Sequence, residues 1–152
     1  MRQILYRGKK IDNDVWTYGF YFDRLINGAK HSYIKTLDEG FVVDEVIPET
    51  VGQYTGIRDD NDIRIFEGDI LNVGYDDGTS YITKVQAYGN TLCVDVEGED
   101  YDFTAIDFAV ANWRHEGCEL RVISNSYDRD KNTDSSIEFL KTVNPFSEYH
   151  NF

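Results

Sequence analysis

A mainly β fold of many short antiparallel strands follows from three features of this 152-residue chain. Aromatic residues make up 14% of it, with 11 Tyr and 9 Phe, and side chains of this kind pack well on a pleated surface. Only 2 Pro interrupt the chain, while its 12 Gly, with Asn and Asp, fall between short apolar runs where tight turns need them. Within those runs apolar residues alternate with polar ones, as at Leu71, Val73 and Tyr75 or at Leu92, Val94 and Val96, so one face of each strand is directed to a core.

In chain order, Ile4 to Tyr6 is a first short strand and Lys9 to Asp14 a polar turn. Val15 to Phe22 is almost solidly aromatic and reads as a central strand with both faces in use. Gly19 inside it marks a place where another backbone or a large ring comes close. Asn27-Gly28 is the strongest hairpin signal in the sequence, with His31 to Lys35 as the return strand. After a turn at Thr36 to Gly40, Phe41 to Ile47 forms a strand that Pro48 stops for want of an amide donor.

Gln53 to Ile57 and Ile63 to Phe66 form a hairpin about the polar turn Arg58 to Asp62. A corner at Glu67, Gly68 and Asp69 then launches the strand Ile70 to Tyr75. Asp76-Asp77-Gly78 turns the chain again, and Tyr81 to Tyr88 pairs with Thr91 to Val96 across Gly89-Asn90. The acidic turn Glu97 to Asp100 leads to Tyr101 to Phe103. Ile106 to Trp113 carries both periods and is read as a strand or a single helical turn, and Glu119 to Ser124 as the last strand, with Leu120 and Val122 inward. Tyr127 to Ser136 is a polar loop. Ser135 and Glu138 form a capping box that opens a short helix with Ile137, Phe139 and Leu140, ended by Asn144-Pro145.

A meander of such short strands removes its edges by curling into a small SH3-like barrel, which would bury Leu71, Val73, Val85, Leu92, Val94 and Phe103 together. The organisation predicted is one compact whole. Residues 1–65 are an N-terminal aromatic β lobe, 66–128 the SH3-like barrel, and 129–152 a polar loop with a short C-terminal helix.

The chain carries 28 acidic against 15 basic residues, a net charge of −13, which repels a phosphate backbone unless a basic face is segregated from the rest. Nucleic acid is therefore disfavoured as a partner, while a basic protein is attracted. Two cysteines, Cys93 and Cys118, form no paired motif and fit a reduced intracellular protein. Met1 to Lys10 has no apolar core of a signal peptide and no run approaches a membrane span, so a cytoplasmic location is expected.

Candidate chemistry is sparse. Asp128, Asp130 and Asn132 stand at positions 1, 3 and 5 of a calcium-type loop that continues through Asp134 to Glu138, since alternate residues of a tight loop aim oxygens at one centre. The loop departs from that pattern at position 6, where Thr133 replaces Gly, and at Glu138, which falls one position early. No cofactor is expected otherwise. The pairs Asp59/Asp60, Asp76/Asp77 and Glu99/Asp100 sit in turns, where Asp serves the backbone, and neighbours in sequence do not face each other across a cleft as a hydrolase requires. His31, His115 and His150 are scattered, and His115 with Cys118 lacks a second pair for zinc. A nucleophile elbow and a phosphate-cradling loop are both missing, so no enzyme is expected.

The aromatic strand has two uses open to it, core packing or a stacking platform for single-stranded bases. Core packing is the commoner, and Tyr18, Tyr21, Phe146, Tyr149 and Phe152 are then left for protein contacts, self-association included.

Several short motifs carry a family resemblance. Tyr6-Arg-Gly-Lys9, Trp16-Thr-Tyr-Gly19, Val51-Gly-Gln-Tyr-Thr-Gly56, Ile65-Phe-Glu-Gly-Asp-Ile70 and Arg121-Val-Ile-Ser-Asn125 are similar to those of the YopX family of phage and prophage proteins. The likeness is dense from residue 1 to about 75 and returns at 119–128. It implies a phage or prophage origin, a β-rich fold and no catalytic residues, with Gln53, Tyr54, Thr55, Gly56, Glu67, Gly68 and Asp69 as a shaped structural corner. Where the family carries Asn-Gly turns, this chain has Asn13-Asp14 and Asn61-Asp62, which favours type I turns with a bulge. Ser124 likewise replaces a family Gly. The function expected is that of a self-assembling accessory protein working by protein contacts. A nucleic-acid-binding barrel is the first alternative and a calcium-dependent protein the second.

Overall fold

The computed structural model describes residues 4–37, 40, 42–96 and 103–128, which form short antiparallel strands and one α-helix. The chain divides into two compact units, Met1–Gly56 and Ile57–Phe152. The mainly β class is as the sequence predicts, and its sheets are open. The helix expected at 137–140 lies outside the described residues.

The first unit is built from β1 (Tyr6–Lys9), β2 (Trp16–Ile26), β3 (Ala29–Thr36), β4 (Val43–Val46) and β5 (Gly52–Arg58, whose last two residues enter the second unit). They lie side by side in the order β4-β3-β2-β1-β5, antiparallel throughout. Asn27 and Gly28 both take positive φ, 51° and 80°, which is the two-residue turn their sequence predicts between β2 and β3. The sheet curls until β4 meets the chain just past β1: Lys10 bridges Val46, and Ile47 N–H donates to Lys9 O at 2.8 Å. Leu5, Ile34 and Val46 are wholly buried. Two glycines permit the close approaches. A Cβ on Gly8 would lie 3.0 Å from the Val46 side chain, and one on Gly19 would overlap the Lys35 carbonyl, the backbone approach its place in an aromatic strand suggests.

The second unit holds β6 (Arg64–Phe66), β7 (Asp69–Gly74), β8 (Ser80–Lys84), β9 (Gln86–Tyr88), β10 (Thr91–Val94), β11 (Thr104–Ala105), α1 (Ile106–His115) and β12 (Glu119–Asn125). Two three-stranded sheets form, β12-β7-β8 and β11-β10-β9. Leu71, Val73, Val85 and Val94 share one core as the alternation predicts, with Leu92 packed against it, while Phe103 instead stacks on Tyr88 at 5.2 Å.

Ile106–His115 is a full α-helix rather than a strand or one turn. Ile106, Ala109, Val110 and Trp113 are its buried residues, an i, i+3, i+4, i+7 stripe, and Phe108, which suggested a strand, points to solvent. The helix stops in a Schellman motif: Gly117 has φ 80°, its N–H donates to Arg114 O at 3.2 Å, and Cys118 N–H donates to Trp113 O at 2.9 Å.

Candidate functional site

The corner residues singled out in the sequence fall in both units. In the first, Gln53 pairs with Tyr6, Tyr54 N–H donates to Leu5 O at 2.7 Å, Tyr54 and Thr55 are buried, and Gly56 has φ 84°. In the second, Phe66 N–H donates to the buried Asp69 Oδ2 at 2.7 Å, closing the turn between β6 and β7. Gly68, at φ 92°, donates to Val85 O at 2.8 Å and accepts from Ser126 N–H at 2.9 Å. A Cβ there would lie 2.5 Å from the Tyr127 ring. Glu67 is half-buried beside this turn. These residues serve the backbone and its packing.

Sequence reasoning placed Asp59 and Asp60 in a turn and saw no more in them. Asp59 Oδ1 does accept the turn's own amides, Asn61 N–H at 2.8 Å and Ile63 N–H at 2.9 Å. Its second oxygen, however, accepts Val122 N–H at 2.9 Å. Asp60 pairs with Leu120 twice, backbone N–H to O at 3.0 Å and Leu120 N–H to its carboxylate at 2.9 Å. The two aspartates thus take up one edge of β12, whose other edge pairs with β7. Arg114 adds a bond from its guanidinium to Arg58 O at 2.6 Å.

Of the proposed calcium loop, Asp128 is described and Asp130, Asn132, Asp134 and Glu138 lie outside the described residues. Asp128 Oδ2 accepts from Asn125 Nδ2 at 2.6 Å, and Asn125 Oδ1 accepts both Tyr127 N–H and Asp128 N–H, a local cap at the end of β12. Among the described residues no three His, Cys, Asp or Glu side chains gather as metal ligands. Cys93 and Cys118 are buried and unbridged, and burial pushes both thiols above their ordinary pKa.

The aromatic strand behaves differently from the core strand it resembles. β1 binds one edge of β2 and β3 the other, but Tyr18, Phe20 and Phe22, which alternate onto one face, are 43%, 54% and 38% exposed. Tyr33 on β3 stacks on Phe22 at 5.3 Å with the rings 17° apart. Register sets Lys35 opposite Phe20 and His31 opposite Arg24 on the same face. On the opposite face a polar cluster forms around Asp23, which accepts from Tyr21 and from Ser32 Oγ at 3.1 Å and pairs with Lys30 Nζ at 3.1 Å. The Tyr21 hydroxyl above all holds the Asp23 carboxyl below the usual carboxylate range, and Asp23 in turn raises Lys30.

Fold and surface together define a β-rich protein of two small units, with an exposed aromatic strand and no helix among the described residues long and apolar enough to cross a membrane. The chain belongs to the YopX family: the profile of the YopX protein matches residues 5–131. Among solved structures it is similar to the crystal structure of protein YopX from Bacillus subtilis, at 18% identity and a TM-score of 0.50, over 86% of this chain and 98% of that one. That likeness concerns the fold. Among curated proteins nothing matches.

Proposed function

We propose that this chain is a non-enzymatic accessory protein of a phage or prophage that works in the bacterial cytoplasm through protein contacts, including contacts with further copies of itself. The supporting observation is the row Tyr18, Phe20 and Phe22, three large aromatic side chains partly exposed on one face of β2. Contiguous exposed apolar surface of this kind marks interaction sites, and Tyr and Phe are enriched in them. The charge of the chain suits a basic host or phage protein as a further partner.

A second reading draws on the same strand. Alternating exposed aromatics on a sheet, with Arg24 and Lys35 on their face, resemble a stacking platform for single-stranded nucleic acid. Net charge of −13 weighs against it. A gel shift with single- and double-stranded DNA at physiological salt, run beside light scattering at micromolar concentration, separates the two. Protein contacts predict no shift and a mass above 17.6 kDa. Robust DNA binding at that salt would instead select the platform.

A further inference from the structure

The hairpin of β2 and β3 outruns the sheet that carries it. β1 pairs with β2 only from Trp16 to Gly19 and β4 with β3 only from Ser32 to Lys35, while β2 and β3 remain in register out to Ile26 opposite Ala29. From Phe20 to Ile26, therefore, β2 has β3 on one edge and, among the described residues, no strand on the other. At 3.4 Å per residue those seven positions give about 24 Å of edge that no strand among the described residues occupies. From Arg24 opposite His31 outward, the hairpin is a two-stranded ribbon among the described residues.

Two properties make that ribbon unusual as a free surface element. An isolated two-stranded ribbon is at best marginally stable in water, and an open edge is a template for another chain. This one also carries apolar side chains where edges ordinarily carry charge or Pro: Leu25 is 78% exposed, and Ile26 beside it is exposed as well.

Charge identifies the occupant. The ribbon Arg24–His31 holds Arg24 and Lys30 and no acidic residue, a net +2 with His31 neutral, with Lys30 also paired to Asp23 at 3.1 Å at its base. Of the two units, Met1–Gly56 has 7 Lys and Arg against 8 Asp and Glu, net −1, and Ile57–Phe152 has 8 against 20, net −12. Nearly all the acidity of the chain therefore resides in its second unit. A positive, apolar ribbon and a strongly negative unit on one polypeptide are complementary between two copies of it.

We infer that the β2–β3 ribbon is a docking arm that seats on the acidic second unit of another copy of this chain. The inference rests on the proposed self-association and names the element responsible. Apolar tip residues Leu25 and Ile26 supply burial, and Arg24 with Lys30 supplies orientation and rate of encounter.

The test is multi-angle light scattering on the full chain and on two variants, Leu25→Ser with Ile26→Ser, and Arg24→Glu. Wild type is expected at a multiple of 17.6 kDa, and both variants at the mass of one chain with unchanged circular dichroism. As a control that leaves the hairpin untouched, the wild type is also measured in about 1 M salt, where charges are screened beyond about 3 Å, and the oligomer is expected to dissociate there. A wild-type oligomer that persists in both variants, or that ignores salt, overturns the arm and leaves self-association standing. Wild type at the mass of one chain across micromolar concentrations overturns both.

Discussion

The Asp59 carboxylate accepts the backbone N–H of Val122 at 2.9 Å, joining the turn after β5 to the middle of β12 across 63 positions of sequence. With the Asn61 and Ile63 amides on its other oxygen, this one buried side chain satisfies three backbone donors. Removing it leaves all three donors without that partner in a part-buried place, which costs more than the bonds themselves contribute. Asp59→Ala is therefore expected to lose about 2 kcal/mol in urea denaturation. Asp59→Asn should fall between it and wild type, because an amide offers a single acceptor and turns its NH2 toward one of the donors. A loss below that of an ordinary surface substitution would show that β12 is held by β7 alone.

The turn that carries Asp59 has a twin. Asp59 to Asp62 and Tyr75 to Gly78 close in the same way, with Asp62 N–H to Asp59 O at 3.0 Å and Gly78 N–H to Tyr75 O at 3.1 Å, then Asp59 N–H to Ile63 O and Tyr75 N–H to Thr79 O, both at 2.8 Å. The fourth residue has positive φ in each, 64° at Asp62 and 88° at Gly78. Both are type I turns with a glycine-type bulge, and at Asp62 an aspartate occupies the glycine position. Holding a residue with a Cβ there costs about 1–2 kcal/mol. The freer unfolded chain of a glycine returns about 0.4–1 of that. Asp62→Gly is thus expected to stabilise by about 0.5 kcal/mol. The exposed Arg58–Asp62 pair, 3.5 Å apart, is too solvated to reverse the sign. Gly78→Asp should do the opposite by a similar amount, read by the same denaturation midpoint.

These turns show how far the sequence reaches. Asn61-Asp62 in place of Asn-Gly announces the bulged turn that forms there with Asp62 at positive φ. The Asn13-Asp14 turn, also with Asp14 at positive φ, instead closes from Asp14 N–H to Lys10 O at 3.0 Å and from Lys10 N–H to Val15 O at 2.9 Å, a four-residue loop in register with Lys9 opposite Trp16 and without a bulge. The strands followed from alternation because burial on one face leaves a period of two. The helix Ile106–His115 did not, since Ala105 before it offers no capping side chain and Phe108, though apolar, faces solvent; the full stripe through Ala109 and the Gly117 stop were the signals present in the sequence. The long-range role of Asp59 and Asp60 could not be read, because a carboxylate that serves its own turn looks the same whether or not a distant strand uses its second oxygen. Nor could the exposure of Phe20 and Phe22. An aromatic row in a strand is buried or bare according to whether another layer covers it, and no local pattern states that.

Gly68 offers a test of packing against backbone strain at one position. With φ at 92° and a virtual Cβ 2.5 Å from the Tyr127 ring, Gly68→Ala meets both penalties and is expected to cost about 2–3 kcal/mol. In a Tyr127→Ala background the ring is gone and only the backbone penalty remains, about 1 kcal/mol. The coupling between the two substitutions, measured as a double-mutant cycle, should then be favourable by the difference. Additive losses would mean that the ring moves aside freely and the corner is set by φ alone.

Lys84, the last residue of β8, gives the clearest dependence on pH. Burial lowers its pKa from the ordinary 10.5, and the nearby Glu67 offsets this in part by favouring the charged form. A lysine whose pKa is depressed on folding opposes folding wherever both states carry the proton. The penalty is therefore fully present below the folded pKa and is relieved as pH rises from the folded pKa to 10.5, because the unfolded chain holds more protons across that window and stability climbs with pH there. Above 10.5 both states are neutral and the penalty is gone. Lys84→Met keeps the length of the side chain and removes the charge, so it is expected to raise the melting temperature at pH 7, with the gain over wild type shrinking as the pH approaches 10.5. The side chain is about half-buried and partly screened, so the rise is modest. A gain that stays constant from pH 7 to 10.5 would assign it to methionine packing, and a loss at pH 7 would show that the attraction of Glu67 outweighs burial.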